Sequence, residues 1–214
     1  SSATIDGNRK AASLKRPFTL NVRNEALNDG SMALFQREGY ACAFIEAWMQ
    51  RNLLAPLPSV EKRHRVLTWT PDNEPLFYNA YLNAFRERQR DGSTPMGAAE
   101  WMGEHDGDPN FRPDLSFVAM EAEMPVGFVT TGTMNVADLG KRVGWISQVG
   151  SDPAWRGRGV AASLIVAVME EFRSEGFDSL GLHVNVNNPG AIRVYDRLGF
   201  RHVGKRARFC KTLP

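Results

Sequence analysis

One segment concentrates groups suited to holding an anion. Residues 148–162 read Gln-Val-Gly-Ser-Asp-Pro-Ala-Trp-Arg-Gly-Arg-Gly-Val-Ala-Ala. The apolar run ending at Val149 predicts a strand. A polar turn follows, and Val160 opens a run with helical apolar spacing. A helix start leaves about four backbone N–H groups unpaired and carries roughly half a positive charge. Gly157 and Gly159 have no side chain to hold an anion away from those groups, while Arg156 and Arg158 add charge. The assembly suits a pyrophosphate; a glycine-rich turn with solvated arginines is the plain alternative. There is no GxxxxGK[ST] run, and no GxGxxG followed by an acid ~20 residues on, so the usual nucleotide fingerprints do not apply.

A second cluster follows at 188–200, Asn-Pro-Gly-Ala-Ile-Arg-Val-Tyr-Asp-Arg-Leu-Gly-Phe. Asn188 as cap, Pro189 in the first turn and Gly199 at the exit predict a helix. Tyr195 lies on it. A phenol (reference pKa about 10) stays neutral at pH 7 and can protonate a departing thiolate (reference about 8.5). The alternative is a core tyrosine whose hydroxyl is satisfied elsewhere.

The elements that must position these groups follow from periodicity. Strands are expected at 18–22, 64–70, 142–149, 180–186 and 207–212, with a hairpin over 115–121 and 126–134. Helices are expected at 29–38, 74–91, 96–105, 160–175 and 188–198, and residues 41–54 fit either state. From residue 64 the order is mixed α/β. The chain has 26 basic and 24 acidic residues, too even a balance for a nucleic-acid reading based on bulk charge. No apolar run approaches the ~18 residues of a membrane-spanning helix. Cys42 and Cys210 form neither a disulfide scaffold nor a metal motif, so a reduced, cytoplasmic setting without a metal is expected. Between Glu100 and Met124 seven acids face one base, Arg112. That stretch is either a solvated loop or a rim attracting a cation.

Arg156-x-x-Gly159-x-Ala161 resembles the Gln/Arg-x-x-Gly-x-Gly/Ala motif of the GCN5-related N-acetyltransferases. The second family pattern appears in order at Asn188-x-x-Ala191-x-x-x-Tyr195-x-x-x-Gly199-Phe200. The resemblance covers roughly residues 65–214. It implies the acyl-CoA N-acyltransferase fold: a mixed, mostly antiparallel sheet, helices on both faces, and two parallel strands that splay apart. It also implies acetyl-coenzyme A as donor. The pyrophosphate would sit on Arg156, Gly157, Arg158, Gly159, Val160 and Ala161, and the pantetheine along Gln148, Val149 and Gly150. Asn188 and Ala191 would flank the pantetheine, and Tyr195 would lie near the sulfur. Many members carry a glutamate on the fourth strand to deprotonate the amine. Here Val143–Val149 has no carboxylate, which leaves Asp152, His183 or an acid from 100–108 as base candidates. Asp152 also reads as a turn former, and His183 as a structural histidine.

Residues 28–40 align without a gap on 188–200: Asn28 on Asn188, Gly30 on Gly190, Phe35 on Tyr195, Gly39 on Gly199 and Tyr40 on Phe200. The expectation is a tail at 1–16, a partial acetyltransferase-like strand–helix–strand half domain at 17–60 and a complete domain at 61–214. Tandem members of the family, the mycothiol synthase type among them, carry a similar Gly-Ser-Asp-Pro turn. The expected function is acetyl transfer to a primary amine of a small, cationic acceptor, with a homodimer or the rest of a tandem chain as partner. A non-catalytic acyl-coenzyme A sensor is the alternative.

Overall fold

A computed structural model describes residues 18–87, 96–136 and 141–213. In chain order its elements are β1 (Phe18–Asn24), α1 (Asp29–Arg37), β2 (Ala41–Asn52), β3 (Arg65–Thr68), α2 (Glu74–Phe85), α3 (Ala98–Asp106), β4 (Phe117–Glu121) and β5 (Met124–Val136). Then come β6 (Lys141–Ser151), α4 (Val160–Ser174), β7 (Ser179–Asn185), α5 (Pro189–Arg197) and β8 (Arg201–Leu213). The described residues form two compact units, one within 47–203 and one of residues 18–46 with 204–213.

In the 47–203 unit the strand order is β2-β7-β6-β5-β4-β3. The β3–β4, β4–β5 and β5–β6 pairs are antiparallel, whereas β6 and β7 run parallel. Side chains alternate between the faces of a strand, so β4 feeds two cores. Phe117 and Ala119 join a cluster with Leu164, Ile165, Met169 and Phe172 of α4 and with Leu180 and Leu182 of β7. Val118 and Met120 join Phe77, Ala80 and Ala84 of α2, Trp101 of α3 and Phe128 of β5. The sheet is therefore covered on both faces, the mixed α/β acyltransferase architecture that the motifs imply. Burying α4's Phe172 completely contributes about 1.5–3 kcal/mol.

In the other unit β1 pairs antiparallel with β8, from Phe18 opposite Leu213 to Asn24 opposite Ala207. Helix α1 opens with a capping box, Ser31 N donating to Asn28 Oδ1 at 2.9 Å and Asn28 N to Ser31 Oγ at 3.0 Å. Phe35 stacks on Phe209 with ring centres 4.3 Å apart.

The two aligned segments fold alike. The offset from Asn28 to Asn188 carries α1 onto α5 residue for residue, and the first residue of β2 onto the first residue of β8. Tyr40 N donates to Phe35 O at 2.9 Å, and Phe200 N to Tyr195 O at 3.0 Å. Both exits use a glycine with positive φ, Gly39 and Gly199.

Most expected elements stand within a few residues. Residues 41–54 resolve as a strand, and β8 begins at Arg201 rather than Ala207. Residues 201–205 are all exposed, so no apolar alternation marks them as strand. The expected tail and the end of the 74–91 helix lie outside the described residues. Among the described residues no helix is long and apolar enough to cross a membrane.

Candidate active site

The parallel ladder between β6 and β7 runs from Val143 opposite Ser179 to Ile146 opposite Leu182 and stops there. Both strands continue, β6 to Ser151 and β7 to Asn185. The cause is visible one strand over. On β5, Thr130 faces Gln148 and Thr131 faces Ile146, so Ser147 is an extra residue in β6. Such a bulge bends its strand and raises the local twist, which opens β6 away from β7. Past Ile146 and Leu182 the backbone groups of the two strands no longer pair with each other.

β6 ends in a turn that leads into α4. Asp152 N donates to Val126 O, and Ala154 N donates to Asp152 Oδ1, both at 2.9 Å. Gly157 and Gly159 hold φ of +76° and +84°, in the left-handed region. A Cβ at either would meet no atom within 4 Å, so the space above them is open. Gly159 is the N-cap and supplies no capping side chain. The first bond of α4 is Ser163 N to Gly159 O at 2.9 Å. The N–H groups of Val160, Ala161 and Ala162 precede it and have no acceptor inside the helix.

The two arginines are engaged locally. Arg156 bonds Glu87 Oε2 at 2.5 Å and Ala84 O at 3.3 Å, and Arg158 lies over the Trp155 ring at 4.8 Å. The open donors of this turn are main-chain groups and the Arg158 guanidinium, which no described residue hydrogen-bonds.

Tyr195 on α5 is 7% exposed and packs edge-on to Phe200 at 5.8 Å. Burial pushes its phenol pKa up to about 12. Its hydroxyl has no hydrogen-bond partner among the described residues, so it is a neutral donor without a fixed acceptor. Asn188 caps α5, taking a bond from Ala191 N at 3.2 Å.

The proposed bases separate. Asp152 is a turn former: its Oδ1 also accepts Arg86 at 2.8 Å, and the side chain is 15% exposed. His183 lies edge-on to Trp145 at 4.7 Å and 6.4 Å from the Trp48 ring.

The acidic stretch resolves into distinct environments. Asp114 pairs with Arg112, which lowers the carboxyl's pKa, and Glu121 with His64. Glu104 and Asp108 line a cavity of about 240 Å³ together with His105, Phe111, Ser147 and Gln148. This cavity sits against the bulge, immediately past the point where β6 and β7 part. Gln148 reaches across to accept from Trp101 Nε1 at 3.0 Å, fixing α3 against β6.

The sequence pointed to neither Trp101 nor His105, and to Ser147 only as part of the strand along which the pantetheine was expected. The spacing of Trp101 and His105, four apart on one helix, puts them on a common face and was the available signal. Nothing local marks Ser147, because a bulge is a property of a strand pair.

The acetyltransferase (GNAT) family matches residues 75–200. A mycothiol acetyltransferase of Thermobispora bispora is 32% identical over 156 residues, 71% of this chain and 52% of the relative. That of Acidothermus cellulolyticus is 29% identical over 194 residues, 84% of this chain and 58% of the relative. The chain thus spans about half the length of the curated relatives it matches. A GCN5-related N-acetyltransferase from Sphaerobacter thermophilus superposes with a TM-score of 0.71 at 26% identity, covering 92% of this chain and 60% of that one. With the motifs, the parted parallel strands and the uncapped helix start all in place, the chain belongs to the acetyltransferase (GNAT) family.

Proposed function

We propose that this protein transfers an acetyl group from acetyl-coenzyme A directly to the primary amine of a small, cationic acceptor. One juxtaposition carries the reading. A strand that leaves its parallel neighbour leads through one turn into a helix start whose first N–H groups have no acceptor in the helix and whose glycines leave open space. A donor with an extended diamide arm and a pyrophosphate calls for both features in that order.

In this reading the N–H groups of Gly157 to Ala162 bind the pyrophosphate, strengthened by the positive end of α4. Arg158 is the nearer source of side-chain charge, since Arg156 would first have to leave Glu87. The backbone of Gln148, Val149 and Gly150 bonds the pantetheine amides, with Asn188 and Ala191 beside it. Acetyl-coenzyme A supplies the activated thioester. Tyr195 holds its proton through the neutral range and gives it to the departing sulfur. The cavity at Ser147 and Gln148 receives the acceptor, and Glu104 and Asp108 give it negative charge. The family gives no acceptor identity to this chain; the mycothiol acetyltransferases above share only part of their length with it.

The matching course of α1 and α5, and of β2 and β8, supports reading residues 17–60 as the closing portion of another acetyltransferase-like domain. Phe35 stands where Tyr195 stands, so that portion lacks the proton donor. Cys42 and Cys210 are free thiols, in keeping with a reduced, cytoplasmic setting.

Titration calorimetry with coenzyme A, paired with thiol release from acetyl-coenzyme A across a panel of amines, tests the proposal. Binding with amine-dependent thiol release is expected. Failure to bind coenzyme A would sink the assignment.

A further inference from the structure

Acetyl transfer leaves one proton to place. A thioester is attacked by a neutral amine, and a lysine-like amine (pKa about 10.4) is almost wholly charged at pH 7. β6 offers no carboxylate between Val143 and Val149, and Asp152 is committed to Arg86 and Ala154. The cavity beside the bulge holds a better group.

We propose that His105 is the catalytic base that takes the acceptor's proton, and that Glu104 and Asp108 select an acceptor bearing a further positive charge; this rests on the acetyl-transfer reading. His105 is 6% exposed yet lines the cavity. Its Nδ1 lies 2.7 Å from Trp101 O. A carbonyl only accepts, so Nδ1 carries the proton and Nε2 keeps its lone pair. Nε2 has no hydrogen-bond partner among the described residues. The ring is held by Trp101 at 4.3 Å, Phe111 at 5.0 Å and Trp69 at 5.3 Å. Trp101 is in turn pinned to Gln148, so a rigid path fixes the imidazole relative to the bulge.

Burial pushes the imidazole below its ordinary pKa, and the Trp101 carbonyl and the charges of Glu104, Asp106 and Asp108 only partly oppose this. The other elements packed on it present Trp69, Phe111, Ser147 and Gln148, none of them charged. His105 is therefore the free base at pH 7.

The proton balance closes. An ammonium acceptor loses one proton to Nε2, and His105 passes that proton to solvent. The neutral nitrogen attacks the acetyl carbonyl, the C–N bond forms and the C–S bond breaks. The second N–H proton goes to Nε2 and the Tyr195 proton goes to sulfur. Solvent returns a proton from His105 to Tyr195, so one proton is released per turnover.

The test uses the whole chain with saturating acetyl-coenzyme A, and putrescine and propylamine as acceptors. His105→Asn keeps a donor near the Trp101 carbonyl and removes the Nε2 lone pair. It should leave coenzyme A binding by calorimetry unchanged and lower kcat about 100- to 10,000-fold. Below the His105 pKa, log kcat/KM should rise with slope two in the parent and slope one in the variant, since only the amine then titrates. Glu104→Gln combined with Asp108→Asn should raise KM for putrescine more than for propylamine. Intact coenzyme A binding with turnover within threefold of the parent, or an unchanged slope, overturns the base and leaves the acetyl-transfer reading standing. Absent coenzyme A binding in the parent overturns that reading instead. Should His105→Asn not fold, nitrogen NMR of the parent decides. An Nδ1-protonated ring at pH 7 whose Nε2 signal moves with putrescine is expected; a signal indifferent to putrescine refutes the proposal.

Discussion

Gly159→Ala isolates the turn proposed to bind the donor. Gly159 sits at φ +84°, and a Cβ there meets no atom within 4 Å. No side chain is displaced, so the stability cost is backbone strain alone, about 1–2 kcal/mol for an L-residue in the left-handed region. In a chain of this size that lowers Tm by about 2–8 °C. Gly103 inside α3 is the control, because its Cβ also meets no atom within 4 Å but its backbone is helical. Gly103→Ala should stabilise by about 0.8–1 kcal/mol, so one chemical change has opposite signs at two open positions. Relief of the strain turns the N–H groups of residues 160–162 out of line. Losing one to two charge-assisted hydrogen bonds, each about 1.5–3 kcal/mol, predicts coenzyme A affinity at least about tenfold weaker. Differential scanning fluorimetry reads the first effect and calorimetry the second. A Gly159→Ala protein with the parent's Tm and the parent's coenzyme A affinity would refute the argument.

Tyr195→Phe removes only a hydroxyl that bonds no described residue, so Tm should change little, while thiol release falls about 100-fold or more at unchanged coenzyme A affinity. Unaltered turnover would remove Tyr195 from the chemistry. In the parent, the raised phenol pKa of about 12 means that no loss of rate between pH 9 and 10 arises from Tyr195; a limb there that Tyr195→Phe abolishes would contradict this. Arg156→Ala should weaken coenzyme A less than about tenfold, because its guanidinium is already paired with Glu87; a larger loss by calorimetry would show that the pair opens for the ligand. The folded protein holds His105 below its unfolded pKa of about 6.5, so the unfolded chain binds more protons between the two values. Stability should therefore fall on acidification from about pH 6.5 and level off below the folded pKa, and denaturant titrations of parent and His105→Asn should differ in that slope.

The two motifs that resemble the family's were legible because each is local. Glycines flanked by arginines before an apolar helix, and asparagine, proline, tyrosine and glycine at helical offsets, encode their geometry within a dozen residues. The alignment of residues 28–40 on 188–200 was legible too, and α1 and α5 share an asparagine N-cap and a positive-φ glycine exit. Less was legible where pairing partners decide the outcome. Residues 41–54 fit two states until the ladder chose strand, and residues 201–205 joined β8 with no apolar face to announce them.

The sequence by itself determined the helix starts to within two residues, the mixed α/β class and the place of Tyr195 on a helix, since these depend on backbone propensity and short spacings; α2 stops at Phe85, short of the expected 91. Tertiary structure alone decided where β6 leaves β7, because a one-residue bulge exists only relative to β5. It also decided which charges are spent: Arg156 on Glu87, Asp152 on Arg86, Asp114 on Arg112. And it put His105, more than forty residues from Gln148 in the chain, into a cavity lined by both. Side-chain pairing and burial are set by contacts between distant segments, and those contacts assign each titratable group its charge.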